Sequence, residues 1–130
     1  MAVFRTFEEI AAWQMGRDLV IKVYEVTREG GFAKDWGLRD QIQRAAVSIC
    51  SNIAEGYERR GNKEFVKFLW IAKGSSAEVC SQLYHARDLN YVTAERFEDL
   101  YGLAKRIGAA LHNLIKSITR STKGTSFVRE

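Results

Sequence analysis

The sequence lacks long apolar runs, and this limits where the protein can reside. No run of apolar residues approaches the roughly 18 that a helix needs to cross a membrane. Residues 1–6 also lack the basic and then apolar build of a secretory signal peptide. We therefore expect a cytoplasmic protein that has no membrane partner.

Cysteine and the motifs of common active sites are scarce as well. The chain has two cysteines and two histidines, and it contains neither Cys-x-x-Cys nor Glu-x-x-His. A di-iron bundle needs Glu-x-x-His on two of its helices, and a phosphate-binding P-loop needs a Gly-Lys pair that is absent here. We therefore expect no metal, no cofactor and no enzymatic activity. The two cysteines are predicted to be buried free thiols, since nothing indicates an oxidising compartment.

Negative charge is in short supply towards the end of the chain. The whole sequence has 20 Lys and Arg against 16 Asp and Glu, a net charge of +4. From residue 101 onward the only acidic residue is Glu130, whereas the basic ones are Lys105, Arg106, Lys116, Arg120, Lys123 and Arg129. A basic C-terminal third favours an anionic partner.

What the sequence does contain is helical periodicity. Apolar residues recur three or four apart over four segments, at about residues 7–28, 36–58, 63–89 and 94–121. The last segment has the clearest pattern: Phe97, Leu100, Ala104, Ile107, Leu111, Leu114 and Ile118. Short connections between such helices favour an all-α, antiparallel up-down-up-down four-helix bundle over residues 1–121. Residues 122–130 are predicted to be a frayed basic tail.

Candidate caps mark the helix ends. Thr6 and Glu9 are expected to form a capping box, and Gly30-Gly31 is expected to end the first helix. A short loop is predicted for residues 32–35. The expected N-caps of the three later helices are Asp35, Asn62 and Thr93.

The second predicted helix has two distinctive faces. One is apolar, and the next carries small, amide and charged side chains instead of the Lys and Glu of a solvated face. With one residue of the third predicted helix, these side chains are predicted to form a buried or interfacial polar network: Arg44, Ser48, Asn52, Glu55 and Glu78. We expect Arg44 to pair with Glu78 or with Glu55, because unpaired burial of a charge is costly.

Apolar residues that lie off the main stripes indicate association of the chain with other copies. They are Ile10, Ala11, Ile21, Val66, Trp70, Tyr101 and Leu103. A monomeric bundle of this size does not need them in its core, and exposed aromatic patches usually mark an interface.

Several runs in the chain resemble one known family. They are Ala45-Ala46-Val47-Ser48-Ile49, Asn52-Ile53-Ala54-Glu55-Gly56, Phe65-Val66-Lys67-Phe68-Leu69 and Ala72-Lys73-Gly74-Ser75. With these runs the chain is similar to the 23S rRNA intervening-sequence protein family from about Phe7 to about Ile118. The resemblance implies a bacterial protein that forms a ring-like homo-oligomer, a pentamer in the known cases, with no established biochemical role. Cys50 stands where the family commonly has proline, and the chain has no proline at all.

The functional hypothesis is a non-enzymatic scaffold or nucleic-acid-binding protein that contacts RNA or DNA through Lys and Arg. The candidate contacts are Arg59, Arg60, Lys63, Lys67, Lys105, Arg106, Lys116, Arg120 and Lys123. One alternative is an adaptor that binds another protein. Another is a HEPN-like ribonuclease, because Arg106 and His112 fit the loose Arg-x(4 to 6)-His pattern of those enzymes.

Overall fold

The computed structural model describes residues 4–121, and over that range every regular element is a helix. A short 3-10 helix precedes five α-helices. In chain order they are the 3-10 helix Phe7–Glu9, α1 (Ala11–Val26), α2 (Gly30–Lys34), α3 (Trp36–Glu58), α4 (Asn62–Asp88) and α5 (Ala94–Arg120). The tail predicted for residues 122–130 lies outside the described residues.

The four long helices pack around one hydrophobic core. Helix α3 packs on α4, α4 packs on α5, and α1 packs on both α3 and α5. Each long helix contributes fully buried side chains, among them Leu19, Ile49, Leu69 and Leu111. Burial of one stripe from each helix removes apolar surface from water and stabilises the bundle. The all-α helical bundle predicted from the periodicity is confirmed.

Two of the predicted caps are present. The Asp35 carboxylate accepts a hydrogen bond from the Leu38 amide at 3.1 Å and caps α3. The Thr93 hydroxyl accepts from the Arg96 amide at 3.1 Å and caps α5. Each side chain satisfies a backbone amide that has no partner within the first turn of its helix.

The start predicted for the first helix is wrong. Ile10 has an extended backbone (φ −77°, ψ 120°) that separates the 3-10 helix from α1, and its side chain is buried in the core. Thr6 makes no side-chain capping bond; instead the Glu9 carboxylate accepts from the Arg5 amide at 2.9 Å. The chain turns at the extended, buried Ile10, so the 3-10 helix and α1 are separate elements. The predicted capping box is not formed.

The role predicted for Gly30-Gly31 is also wrong. Helix α1 ends at Val26, and the glycine pair begins the short helix α2, with Gly30 at a φ of 49°. Phe32 is fully buried and stacks on Tyr91 with ring centroids 5.3 Å apart, which anchors α2 where a loop was predicted. A glycine with positive φ suits a helix end, yet it equally allows the turn that leads into the next helix.

Asn62 is the first residue of α4 rather than its N-cap. Gly61 occupies the cap position with a φ of 113°, a conformation that favours glycine. Helix α4 therefore begins one residue earlier than predicted.

Two of the apolar residues assigned to an interface belong to the core. Ile10 and Leu103 are both buried. In α5, Ile115 takes the core position that was predicted for Leu114, which is only partly buried. Ile21 and Trp70 do remain exposed.

Candidate functional site

A basic groove runs along the outer surface between α4 and α5. Two hollows of about 340 Å³ and about 410 Å³ share His112 and form what we call the Trp70 groove. Trp70, Lys116 and Arg120 line the smaller hollow, and Lys73 and Lys105 line the larger one. Among the described residues that line the two hollows, none is Asp or Glu. The groove therefore has charge of one sign along its length.

Trp70 is the dominant aromatic surface of the groove. Half of its surface is exposed (50%), and the Lys73 ammonium lies 5.9 Å from its ring centroid. The His112 ring packs against it edge-on, with centroids 6.3 Å apart and planes inclined by 74°. A cation near an aromatic face is attracted by the ring quadrupole. These contacts hold the indole at the groove surface.

Small residues form the floor of the larger hollow. A Cβ atom at Gly108 would lie 3.2 Å from the Ser76 hydroxyl, so α5 approaches α4 closely there. The Ser76 hydroxyl donates to the Lys73 carbonyl at 2.7 Å and needs no external partner. Burial raises the pKa of the Cys80 thiol, which also lines this hollow, so the thiol is neutral at physiological pH.

The basic residues predicted near the α3–α4 turn have different surroundings. Arg59 forms an ion pair with Glu55 at 2.8 Å, and its guanidinium lies 5.2 Å from the Phe68 ring centroid. This hydrogen bond to Glu55 raises the pKa of Arg59. Lys67 also lies beside Phe68, at 6.0 Å from the centroid. Arg60, in the turn, and Lys63, in the first turn of α4, are both exposed.

The structure separates the remaining predicted residues. Lys105 lines the groove but its neighbour Arg106 does not, since successive helical residues are about 100° apart. His112 follows Arg106 by six positions, which corresponds to about 600°, so the two side chains point about 120° apart around α5. The pair considered for a ribonuclease therefore shares neither hollow. Lys123 lies outside the described residues.

A second surface lies between α3 and α4, and we call it the polar hollow. It is lined by Gln41, Arg44, Ala45, Ser48, Glu78 and Gln82. The hydroxyls of Ser48 and Ser75 hydrogen-bond at 2.9 Å and join the two helices. Asn52 donates to the Ser48 carbonyl at 2.8 Å and to its hydroxyl at 2.9 Å. Ser48, Asn52 and Ser75 therefore bond to one another along one edge of the polar hollow.

The ion pair predicted for Arg44 is absent from the single chain. Arg44 is exposed and forms no salt bridge with Glu55 or Glu78 within residues 4–121. Glu55 pairs with Arg59 instead, because eleven residues, or about 16 Å along α3, separate it from Arg44. The side-chain oxygen of Gln82 is buried in the same region, and residues 4–121 provide no hydrogen-bond partner for it. An unsatisfied buried acceptor costs free energy unless another group reaches it.

Sequence reasoning missed the grouping of Trp70, Lys73 and His112. Trp70 was assigned to an interface, His112 to a possible nuclease pair, and Lys73 to no site. Their contact depends on how α4 and α5 are aligned, which the periodicity of one helix does not reveal. The signal available in the sequence was Trp70, which has a lysine three positions before it and another three positions after it.

The described chain contains neither a metal-binding cluster nor a helix that could span a membrane. Within residues 4–121, no three His, Cys, Asp or Glu side chains are grouped as a metal ion would require. None of the helices in this range is both long and apolar enough to cross a membrane.

Comparison with known proteins identifies a family that the chain matches and a solved structure with a similar fold. The family model for the 23S rRNA-intervening sequence protein matches residues 8–113. A crystal structure from Bacteroides thetaiotaomicron, of a protein with unknown function from the S23 ribosomal protein family, superposes with a TM-score of 0.75. It is 22% identical and covers 82% of this chain and 99% of its own, so it supports the fold. Curated proteins gave no match.

Proposed function

The chain belongs to the 23S rRNA-intervening sequence protein family, and from that premise we propose that it is a non-enzymatic, homo-oligomeric protein that binds RNA. The observation that carries the proposal is the Trp70 groove, whose lining within residues 4–121 contains cations and no acidic side chain. Lysine and arginine on one accessible surface are what phosphate contacts require.

The length of the groove fits a nucleic-acid strand. Lys105 and Arg120 are fifteen residues apart on α5, which corresponds to about 22 Å of helix. Lys73, His112 and Lys116 lie between these limits. Phosphates spaced along a strand can therefore contact several cations at once. The family name, which refers to ribosomal RNA, favours RNA over DNA.

We also propose that the four long helices alternate in direction, up-down-up-down. Trp70, near the start of α4, contacts His112 near the end of α5. Tyr84, near the end of α4, contacts Phe97 near the start of α5, with ring centroids 5.2 Å apart. Short connections between α3, α4 and α5 support the same arrangement.

The polar hollow is the proposed contact between copies in a ring-like assembly. Arg44 and Glu78 are exposed in the single chain, and the buried Gln82 oxygen has no hydrogen-bond partner among the described residues. Val47, three residues after Arg44, is 39% exposed, and Ile71, four residues before Ser75, is 45% exposed. An apolar surface beside unpaired polar groups is typical of a protein interface. A ring would also present one Trp70 groove per subunit, so that one RNA could contact several grooves.

A gel-shift titration with ribosomal RNA fragments tests the proposal. Four cations line the groove, so neutralising four phosphates of a single strand should give a salt slope of about −3. Raising salt from about 50 mM to about 200 mM should then weaken binding by about 50-fold. Absence of any shift at low salt, or binding that salt leaves unchanged, would contradict RNA binding. Light scattering should give a multiple of 14.8 kDa, and a single-chain mass would contradict the assembly.

A further inference from the structure

We propose that the Trp70 groove binds a single-stranded segment of RNA, with one base stacked on the Trp70 indole and phosphates on the flanking cations. This inference rests on the proposed RNA binding and adds the form of the RNA and the residue that distinguishes it. Lys73, Lys105, Lys116 and Arg120 are the phosphate contacts.

The exposed indole selects for an unpaired base. In a duplex the bases are stacked on one another, so their faces are not available to a side chain, whereas bases of a single strand can be splayed onto aromatic rings. Trp70 is half-exposed, lies on a helix, and contacts both Lys73 and the edge-on His112 ring. A fixed aromatic platform of this kind binds bases with little regard for sequence.

The charge around the indole specifies a polyanion as the occupant. Every charged residue that lines the two hollows is basic over the part of the chain that the structure describes. Each hollow is about the size of sites that hold small ligands, which start near 300 Å³. A groove of about 22 Å corresponds to roughly six nucleotides at the 3.4 Å spacing of stacked bases, and to fewer when the strand is extended.

Trp36 provides a matched control, because it is exposed but has different surroundings. It is the first residue of α3 and is 69% exposed, more than Trp70. Among the described residues no cation lies over its ring, and it lines neither hollow of the groove. Its replacement removes an exposed indole without touching the groove.

The experiment measures fluorescence anisotropy at low salt with a labelled single-stranded RNA of about 12 nucleotides and with a duplex of the same sequence. The wild-type protein should bind the single strand more tightly. Trp70→Ala should raise the Kd for the single strand about 10-fold and leave the Kd for the duplex unchanged. Trp70→Phe, which keeps an aromatic face, should lose less, and Trp36→Ala should match the wild type.

The possible failures are distinguishable. If the wild-type protein binds neither RNA, the proposed function and this inference are both overturned. If it binds RNA but prefers the duplex, or if Trp70→Ala binds the single strand as well as Trp36→Ala does, only this inference is overturned. Light scattering and far-ultraviolet circular dichroism accompany each variant. A loss of assembly in both Trp70→Ala and Trp70→Phe would place Trp70 in a contact between copies and overturn the inference too.

Discussion

Helix α4 separates two surfaces with opposite chemistry. On its α5 side, the Trp70 groove is aromatic, and its charged lining residues among those described are all basic. On its α3 side, the polar hollow contains one cation, Arg44, and one carboxylate, Glu78, among amides and hydroxyls. A cluster of cations without acidic neighbours requires an external anion. A surface with both charges among polar groups can instead pair its charges and hydrogen bonds with another protein surface. This difference is the basis of our proposal that RNA binds on one side of α4 and a second copy on the other.

The two sides also differ in how closely the helices approach. A Cβ atom at Gly56, between α3 and α4, would lie 2.5 Å from the Phe68 Cβ. At Gly108, between α5 and α4, the nearest atom would be the Ser76 hydroxyl at 3.2 Å. The α3–α4 contact is thus the tighter one, since its closest neighbour is fixed to the backbone.

The largest expected effect comes from reversing charge in the groove. Lys116→Glu combined with Arg120→Glu should weaken RNA binding by about 100-fold, because two phosphate contacts become repulsive. The mass measured by light scattering should not change. The matched charge reversal in the polar hollow is Arg44→Glu. It should change the mass of the assembly and leave the affinity of each subunit for a short RNA unaltered. If both reversals affected RNA binding equally, the two surfaces would not have separate roles.

Gly56→Ala should lower the free energy of unfolding by about 1–3 kcal/mol, because the added methyl group pushes α3 away from Phe68. Gly108→Ala is the control in the looser contact. It should change stability by less than about 1 kcal/mol, since alanine also favours the helix there. Urea unfolding monitored by circular dichroism measures both variants. Equal losses would show that the two helix contacts are equally tight.

Much of this architecture follows from the pattern of the sequence. The apolar spacing in the fourth predicted helix locates α5, and Asp35 and Thr93 locate the starts of α3 and α5. Each of these signals is local, because a cap or a helical stripe involves residues within a few turns. Gly30 shows where local signals fail: its positive φ suits either the end of one helix or the start of the next. The burial of Phe32 against Tyr91 decides between them, and that contact is distant in sequence.

The candidate site was only partly predictable for the same reason. Lys105, Lys116 and Arg120 were identified as basic residues of one helix. Their grouping with Trp70 and Lys73 depends on the alignment of α4 against α5, which many long-range contacts determine together. The pairing of Arg44 failed differently. Its partners were chosen by charge, although the distance along α3 already excluded Glu55.

Arg44→Ala should act on assembly rather than on folding. Arg44 is exposed and forms no ion pair within the described range, so its loss should change the stability of an isolated subunit by no more than about 0.5 kcal/mol. At a subunit contact, removal of an arginine anchor should weaken association by about 10-fold. Light scattering over a dilution series measures this. An unchanged mass at every concentration would exclude the polar hollow as the contact.

The two cysteines provide the smallest and most local comparison. Burial raises the pKa of Cys50 to about 11, and it also raises the pKa of Cys80. Both thiols are therefore neutral at pH 8 and should be alkylated slowly. Bound RNA should slow the alkylation of Cys80, which lines the groove, by about threefold and leave Cys50 unaffected. Mass spectrometry of the modified peptides measures both rates, and equal protection of the two would contradict this placement of the RNA.

The raised pKa of Cys50 also has a consequence for stability. The folded chain favours the neutral thiol, so this contribution is complete below the unfolded value of 9.0 and is lost as pH rises towards about 11. Replacing Cys50 with alanine should remove that part of the alkaline destabilisation.

The most direct test of the central claim, that the two sides of α4 bind different partners, is ultraviolet crosslinking of bound single-stranded RNA followed by peptide mapping. The account predicts crosslinks in residues 70–73 and 105–120, with Trp70 or His112 among the modified positions. Crosslinks concentrated in residues 41–48 of α3, with the groove unmodified, would contradict it.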